Sequence, residues 1–181
     1  ENYVRRFSAD PRFWQALKVT FSYMAMEVPL KLAFALAVAV ALDKAVRAGA
    51  LYRALFYVPS LLGGSVAIAV LWRQIFEGNG TLNQVLLWLF GYKGPSWIST
   101  PDTALYTLVL LAVWQFGSPM IIFLAGLRQV PQDLYEAASM DGAGPWRQFR
   151  KITLPMLAPV IFFNMVLQII EGFKAFTPAY V

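Results

Sequence analysis

Four long apolar stretches, Val19 to Leu42, Ala54 to Phe76, Ala104 to Leu127 and Leu154 to Val181, alternate with shorter segments richer in charge, glycine and proline. A helix needs about 20 apolar residues to cross the hydrocarbon core of a bilayer, and each stretch reaches that length. None shows the period-two alternation that a strand of a membrane barrel requires. The pattern predicts an all-α fold, a polytopic transmembrane helical bundle, with residues 1–181 forming a single membrane domain.

The connectors orient the bundle, because Lys and Arg accumulate on the cytoplasmic side. Lys44, Arg47 and Arg53 separate the first two stretches, and Arg128, Arg147, Arg150 and Lys151 separate the last two. The middle connector holds only Lys93. Residues 77–103 therefore read as an external connector and residues 128–153 as a cytoplasmic loop. Residues 1–13 then fall outside, against Arg5, Arg6 and Arg12; a span before residue 1 removes the conflict. Within the external connector, Gly78-Asn79-Gly80 reads as a turn and Thr81 to Phe90 as a short helix lying on the membrane surface. Asn79-Gly80-Thr81 also fits a glycosylation sequon, a three-residue pattern too common by chance to carry weight.

Composition agrees with a membrane as solvent. Hydrophobic residues make up 59% of the chain and charged ones 14%, with a mean hydropathy of +0.56, whereas about a quarter of the residues of an ordinary soluble domain are charged. The net charge of +5 fits anchoring at an anionic leaflet better than nucleic acid binding. The chain has no Cys and no His, which excludes disulfides, Cys/His zinc sites, Ser-His-Asp triads and thiol nucleophiles. No phosphate-cradling G-x-x-x-x-G-K-[ST] segment or G-x-G-x-x-G turn is present. Energy for any active process has to come from a partner.

The cytoplasmic loop carries the most specific pattern. Asp133 to Met140 reads as a short helix that starts after Pro131 and offers little bulk at Ala137 and Ala138. Gly142 is free to take positive φ and turn the chain into a second helix, through Trp146 and Phe149, that stops near Pro155. Such a helix-turn-helix fits a cleft on another subunit, with Glu136 available to a basic side chain; the plainer reading is a solvated loop with an interfacial helix. The order Glu136-Ala137-Ala138, then Asp141-Gly142-Ala143, then Ile152 to Pro155, resembles the E-A-A, D-G-A, I-x-L-P pattern of the "EAA" loop in bacterial ABC importer permeases. Ala125-Gly126-Leu127, Val130-Pro131 and Leu134-Tyr135 extend the resemblance on one side, and Asn2-Tyr3, Phe13-Trp14 and Val28-Pro29-Leu30 carry it to the start. It covers nearly the whole chain and is closest in character to the carbohydrate-uptake branch, similar to the maltose and glycerol-phosphate permeases.

The resemblance implies a multi-pass protein of the bacterial inner membrane, with Tyr135, Glu136, Ala137, Ala138, Asp141, Gly142 and Ala143 coupling it to ATPase subunits. It implies two such subunits, which bind ATP and Mg while this chain holds no cofactor or metal and performs no covalent chemistry. It further implies a second permease subunit, a different chain rather than a copy, and an extracytoplasmic solute-binding protein.

Polar residues within the spans are candidate solute contacts, since ionisable groups in a membrane are costly. Asn164, Gln168, Glu171 and Lys174 form a polar stripe, with Gly172 and Ala175 beside it. Gln168, Glu171, Gly172 and Ala175 match, by resemblance, positions lining the sugar site of maltose-type permeases; Trp114, Gln115, Gly117 and Ser118 occupy the corresponding region of the third span. An aromatic ring with amides and carboxylates suits a sugar. The alternatives are a structural Glu171–Lys174 pair and core packing for Trp114. Glu27 and Lys31, flanking Pro29, read as a neutralising pair beside a kink, and Pro59, Gly63, Gly64 and Ser65 as a site of close packing or bending. Rival functions are a secondary transporter with Glu171 as its coupling carboxylate, against which no inverted repeat is visible, and a membrane scaffold that transports nothing.

Overall fold

The computed structural model describes residues 11–44 and 49–174, which fold into helices and their connections. Asn2-Tyr3, Arg5, Arg6, Arg47 and Ala175 lie outside the described residues.

Helix α1 (Pro11–Lys44) runs 34 residues without a break, through Pro29. Its buried positions Val28, Leu32, Ala35, Ala39 and Leu42 alternate steps of four and three, the spacing that keeps one seam against a neighbouring helix. Ala35 and Ala39 are fully buried; small side chains there let helices approach closely where lipid supplies no hydrophobic drive. The seam packs against Phe116, Met120, Phe123, Leu124 and Leu127 and against Leu157. These residues belong to α6 (Gly117–Leu127), its preceding residue, and α8 (Pro145–Phe173). Gly126 brings α6 and α8 together: a Cβ there would lie 2.9 Å from Leu157 Cδ2.

The second apolar stretch is not the straight span its length predicts. Helix α2 (Gly49–Leu62) ends at Gly63-Gly64, and α3 (Val66–Phe76) starts anew from Ser65, whose hydroxyl accepts from the Ile68 N–H. The chain bends by 92° at this break. Pro59 weakens the end of α2 by removing a backbone donor, and the two glycines supply no side chain to carry the helix on. The third stretch is also divided, into α5 (Pro101–Trp114) and α6, bent by 45°. Counting each bent pair as one crossing gives four candidate spans, with α1 and α8 long enough alone.

Between α3 and α5 the external connector forms α4 (Thr81–Phe90), which ends on the left-handed Gly91. Asn83, almost wholly buried, organises it. Its amide donates to the carbonyls of Gly78, Gly94 and Pro95, and its Oδ1 accepts from Trp97 Nε1 at 2.9 Å.

Helix α7 (Gln132–Met140) follows α6, and the helix after it does not stop near Pro155 as its sequence predicts. It continues to Phe173 through a π-helical turn at Phe149–Thr153, where the Leu154 N–H reaches back five residues to the Phe149 carbonyl. Pro155 has no N–H and its ring crowds the carbonyl four residues back; the wider turn takes up that misfit and the helix survives. Large apolar side chains on the outside, such as Phe162 and Trp88, face the lipid of a membrane protein and would be anomalous in water.

Candidate functional site

The two helix breaks face each other. Ser60, near the end of α2, donates its hydroxyl to the Gln115 carbonyl at 2.9 Å and accepts from the Ser118 N–H at 3.1 Å. Gln115 in turn donates through Nε2 to the Gly63 carbonyl. A Cβ on Gly63 would overlap the Gln115 side chain and displace it from this bond. Gly117 is more tightly constrained, because backbone, the Phe56 carbonyl, lies 2.6 Å from where its Cβ would stand. Irregular backbone at membrane depth is tolerated where protein buries it or where it lines a cavity, and here it does both.

The breaks open onto a cavity of about 300 Å³ between α1, α2, α5, α6 and α8, the lower end of the size range of small-molecule sites. Of the residues that sequence marks as solute contacts, the cavity brings together Gln115, Ser118, Gln168 and Glu171. Lys174 joins them, paired with Glu171 at 3.2 Å. Gln168 is 5% exposed, and its Oε1 has no hydrogen-bond partner among the described residues.

Trp114, Gly117 and Gly172 are placed elsewhere. On α5 the cavity face runs through Leu108, Leu111, Ala112 and Gln115. Trp114 lies about 100° round the helix from Gln115, and its ring packs 5.9 Å from that of Trp72. Gly117 serves the α2–α6 contact, and Gly172 lets α8 approach Met24 and Glu27 on α1.

The cavity also takes residues that sequence reasoning set aside. Tyr23, Glu27 and Lys31 recur every four residues along α1 and line it. The Glu27 carboxylate sits 3.5 Å from the Lys31 ammonium, with Tyr23 as a hydrogen-bonding neighbour and Glu171 as a nearby like charge. The signal was in the chain: three polar residues at helical spacing form a stripe, and a stripe inside a span points to an interior surface. Among the described residues no group of His, Cys, Asp and Glu can hold a metal ion.

A second constellation lies beyond the apolar bundle. Helix α7 has no buried residue, and Glu136, Ala137, Met140 and Asp141 are exposed, with Ala138 and Ala143 half-buried. Its far end is closed by Gly142 at φ 72°, with the Ala143 N–H bonded to the Ala138 carbonyl, the arrangement that satisfies terminal carbonyls when a glycine takes the left-handed conformation. The other face is pinned to α8. Tyr135 and Thr153 share a hydroxyl hydrogen bond of 2.8 Å, and Gln148 Nε2 donates to Ser139 Oγ and to the Ala143 carbonyl. A helix seated on α8 thus presents Ala137 and the carboxylates of Asp133 and Glu136 outward.

An apolar helical bundle with broken spans around a polar cavity, and a held but uncovered helix beside basic connectors, defines the chain as a multi-span membrane subunit of the transport-permease class. Residues 32–181 match the family described as binding-protein-dependent transport system inner membrane component, and the chain belongs to it. The probable ABC transporter permease protein YesP of Bacillus subtilis is 51% identical over 100% of this chain and 59% of its own length. The trehalose/maltose transport system permease protein MalF of Thermococcus litoralis is 33% identical over 99% of this chain and 61% of its own. The sequence thus spans about 60% of these relatives. In fold it is similar to a chain of a bacterial ABC transporter involved in the import of the acidic polysaccharide alginate, with a TM-score of 0.82 at 23% identity over 95% of this chain and 62% of that one.

Proposed function

We propose that this chain forms part of the membrane path of an ATP-driven importer for a sugar or related solute. The observation that carries this reading is the polar cavity at the meeting of two helix breaks, bordered by otherwise apolar helices. The names of its relatives agree: two of those matched are a trehalose/maltose and a lactose transport system permease protein. A solute-binding protein delivers substrate, a reading supported by the solved alginate transporter, which is in complex with an alginate pentasaccharide-bound periplasmic protein. Two ATP-binding subunits, holding ATP and Mg, dock on the outward surface of α7 around Glu136, Ala137 and Ala138, and a second permease subunit completes the path. Closure of the ATPase pair moves α7. Because Tyr135, Ser139 and Ala143 tie α7 to the start of α8, that movement passes into the helix carrying Gln168 and Glu171. Substrate access then switches from one side of the membrane to the other.

Co-purification of the full-length chain in detergent tests the assignment. A stoichiometric ATPase is expected to stay bound to the wild type, and Glu136→Lys to weaken its retention by at least about tenfold, the counterpart of roughly 1.4 kcal/mol. Import without any retained ATPase would instead support a secondary transporter.

A further inference from the structure

The spacing of Glu27 and Lys31 assigns them to a neutralising pair inside the bundle; their surroundings give them more to do. Both are more than nine-tenths buried, yet both line the cavity. Lys31 donates to Glu27 Oε1 at 3.5 Å, longer than the roughly 2.7–2.9 Å of a close charge-assisted bond, and Glu27 Oε2 has no hydrogen-bond partner among the described residues. Glu171 and Lys174 line the cavity from the end of α8, paired at 3.2 Å and both more than half exposed, with the Gln168 carbonyl oxygen unpartnered among the described residues. The lining therefore holds two carboxylates and two ammonium groups, which cancel.

Building on the reading of the chain as a sugar-importer subunit, we infer that Glu27 and Lys31 form a wall that binds adjacent hydroxyls of uncharged saccharides and turns away sugars bearing a carboxylate or phosphate. A hydroxyl is both donor and acceptor, a carboxylate only accepts, and an ammonium only donates. One hydroxyl of a vicinal pair donates to Glu27 while its neighbour accepts from Lys31, and no net charge enters the cavity. The 3.5 Å gap leaves these contacts open to competition from the ligand. An anionic sugar meets different conditions. It has to shed its hydration, and the attraction of Lys31 for its charge is opposed by Glu27 on the same ammonium and by Glu171 on α8. Nothing in a balanced lining compensates the lost hydration of a third negative charge.

The test uses the complete purified transporter, equilibrated in detergent with a mixture of neutral disaccharides and the matching disaccharides that end in a uronic acid, with bound sugars quantified by mass spectrometry. The wild type is expected to retain the neutral members over the uronates by about tenfold or more, since discrimination is built on an unpaired charge. This ratio requires no variant, so it stands even where a substitution disturbs folding. Glu27→Gln preserves shape, removes one negative charge and leaves Lys31 opposed by Glu171 alone; it is expected to move the ratio toward uronates by on the order of tenfold. The double variant Glu27→Gln/Lys31→Met should weaken binding of the neutral sugars and give uronates no gain. Wild-type retention of uronates as firmly as neutral sugars, or an unchanged ratio in Glu27→Gln, overturns the inference and leaves the sugar-importer reading intact. Retention of neither class by a complex that hydrolyses ATP would overturn both.

Discussion

The hydroxyls of Tyr135 and Thr153 meet at 2.8 Å across 18 residues of sequence, joining α7 to the π-helical turn that lets α8 pass Pro155. Thr153 is buried, so the bond matters most when one partner alone is lost. Tyr135→Phe leaves a buried hydroxyl unsatisfied and is expected to cost about 1–3 kcal/mol locally. Tyr135→Phe combined with Thr153→Val removes both polar groups and should recover most of it. Hydrogen exchange of residues 132–140 reads the effect; equal exchange in the single and double variants would count against this tie as the seat of α7.

Gly117 and Gly64 offer a contrast in packing. A Cβ on Gly117 would stand 2.6 Å from the Phe56 carbonyl and 2.8 Å from Ser60 Oγ, while one on Gly64 meets nothing within 4 Å. Gly117→Ala therefore forces α2 and α6 apart, at a cost of about 1–3 kcal/mol, and Gly64→Ala does not. Thermal unfolding of the purified chain in detergent should show a lowered midpoint for the first variant alone.

Gly142 is held at φ 72°, whereas Gly144 has an ordinary φ of −67° and no neighbour within reach of a Cβ. Gly142→Ala then strains the turn after α7 by about 1–2 kcal/mol, and Gly144→Ala leaves it unchanged. Substrate-stimulated ATP hydrolysis by the reconstituted complex should fall in the first variant and hold in the second. Equal activities would mean that the geometry of this turn is not used in coupling.

The absence of Cys permits a direct reading of topology. Single Cys substitutions at Ser139 and Ser99, both exposed, should react with an impermeant thiol reagent from opposite sides of the membrane. Ser99 is the better external position, because the hydroxyl of Ser96 is buried. Labelling of both from one side would contradict the single crossing between them.

The seams and their lengths were legible in the chain because apolar runs and small residues act locally. The all-helical bundle, the turn at Gly142 and the polar stripe of Gln168 and Glu171 follow from residues close together in sequence. The 92° break after Leu62 was readable only as a capacity to bend at Pro59, Gly63 and Gly64. What fixes it is Gln115, 52 residues away, whose side chain bonds the Gly63 carbonyl. Trp114 was placed in the site by its chemistry, but helical phase turns it toward Trp72. Glu27 and Lys31 pair within α1, and with Tyr23 they form a polar stripe that marks an interior face; which helices complete the cavity there, α2, α5, α6 and α8, is set only by folding. Asn83 was passed over because its partners Gly78, Gly94, Pro95 and Trp97 converge only after the connector folds.

Sugar uptake into proteoliposomes containing the full-length chain, its partner subunits and the solute-binding protein tests the account most directly. A radiolabelled saccharide retained by the purified complex is followed with ATP or ADP on the side bearing α7, before and after ionophores collapse proton and sodium gradients. The account predicts uptake that requires ATP, persists without the gradients and is lost in Glu136→Lys. Uptake that proceeds without ATP and stops when an ion gradient is dissipated would contradict it.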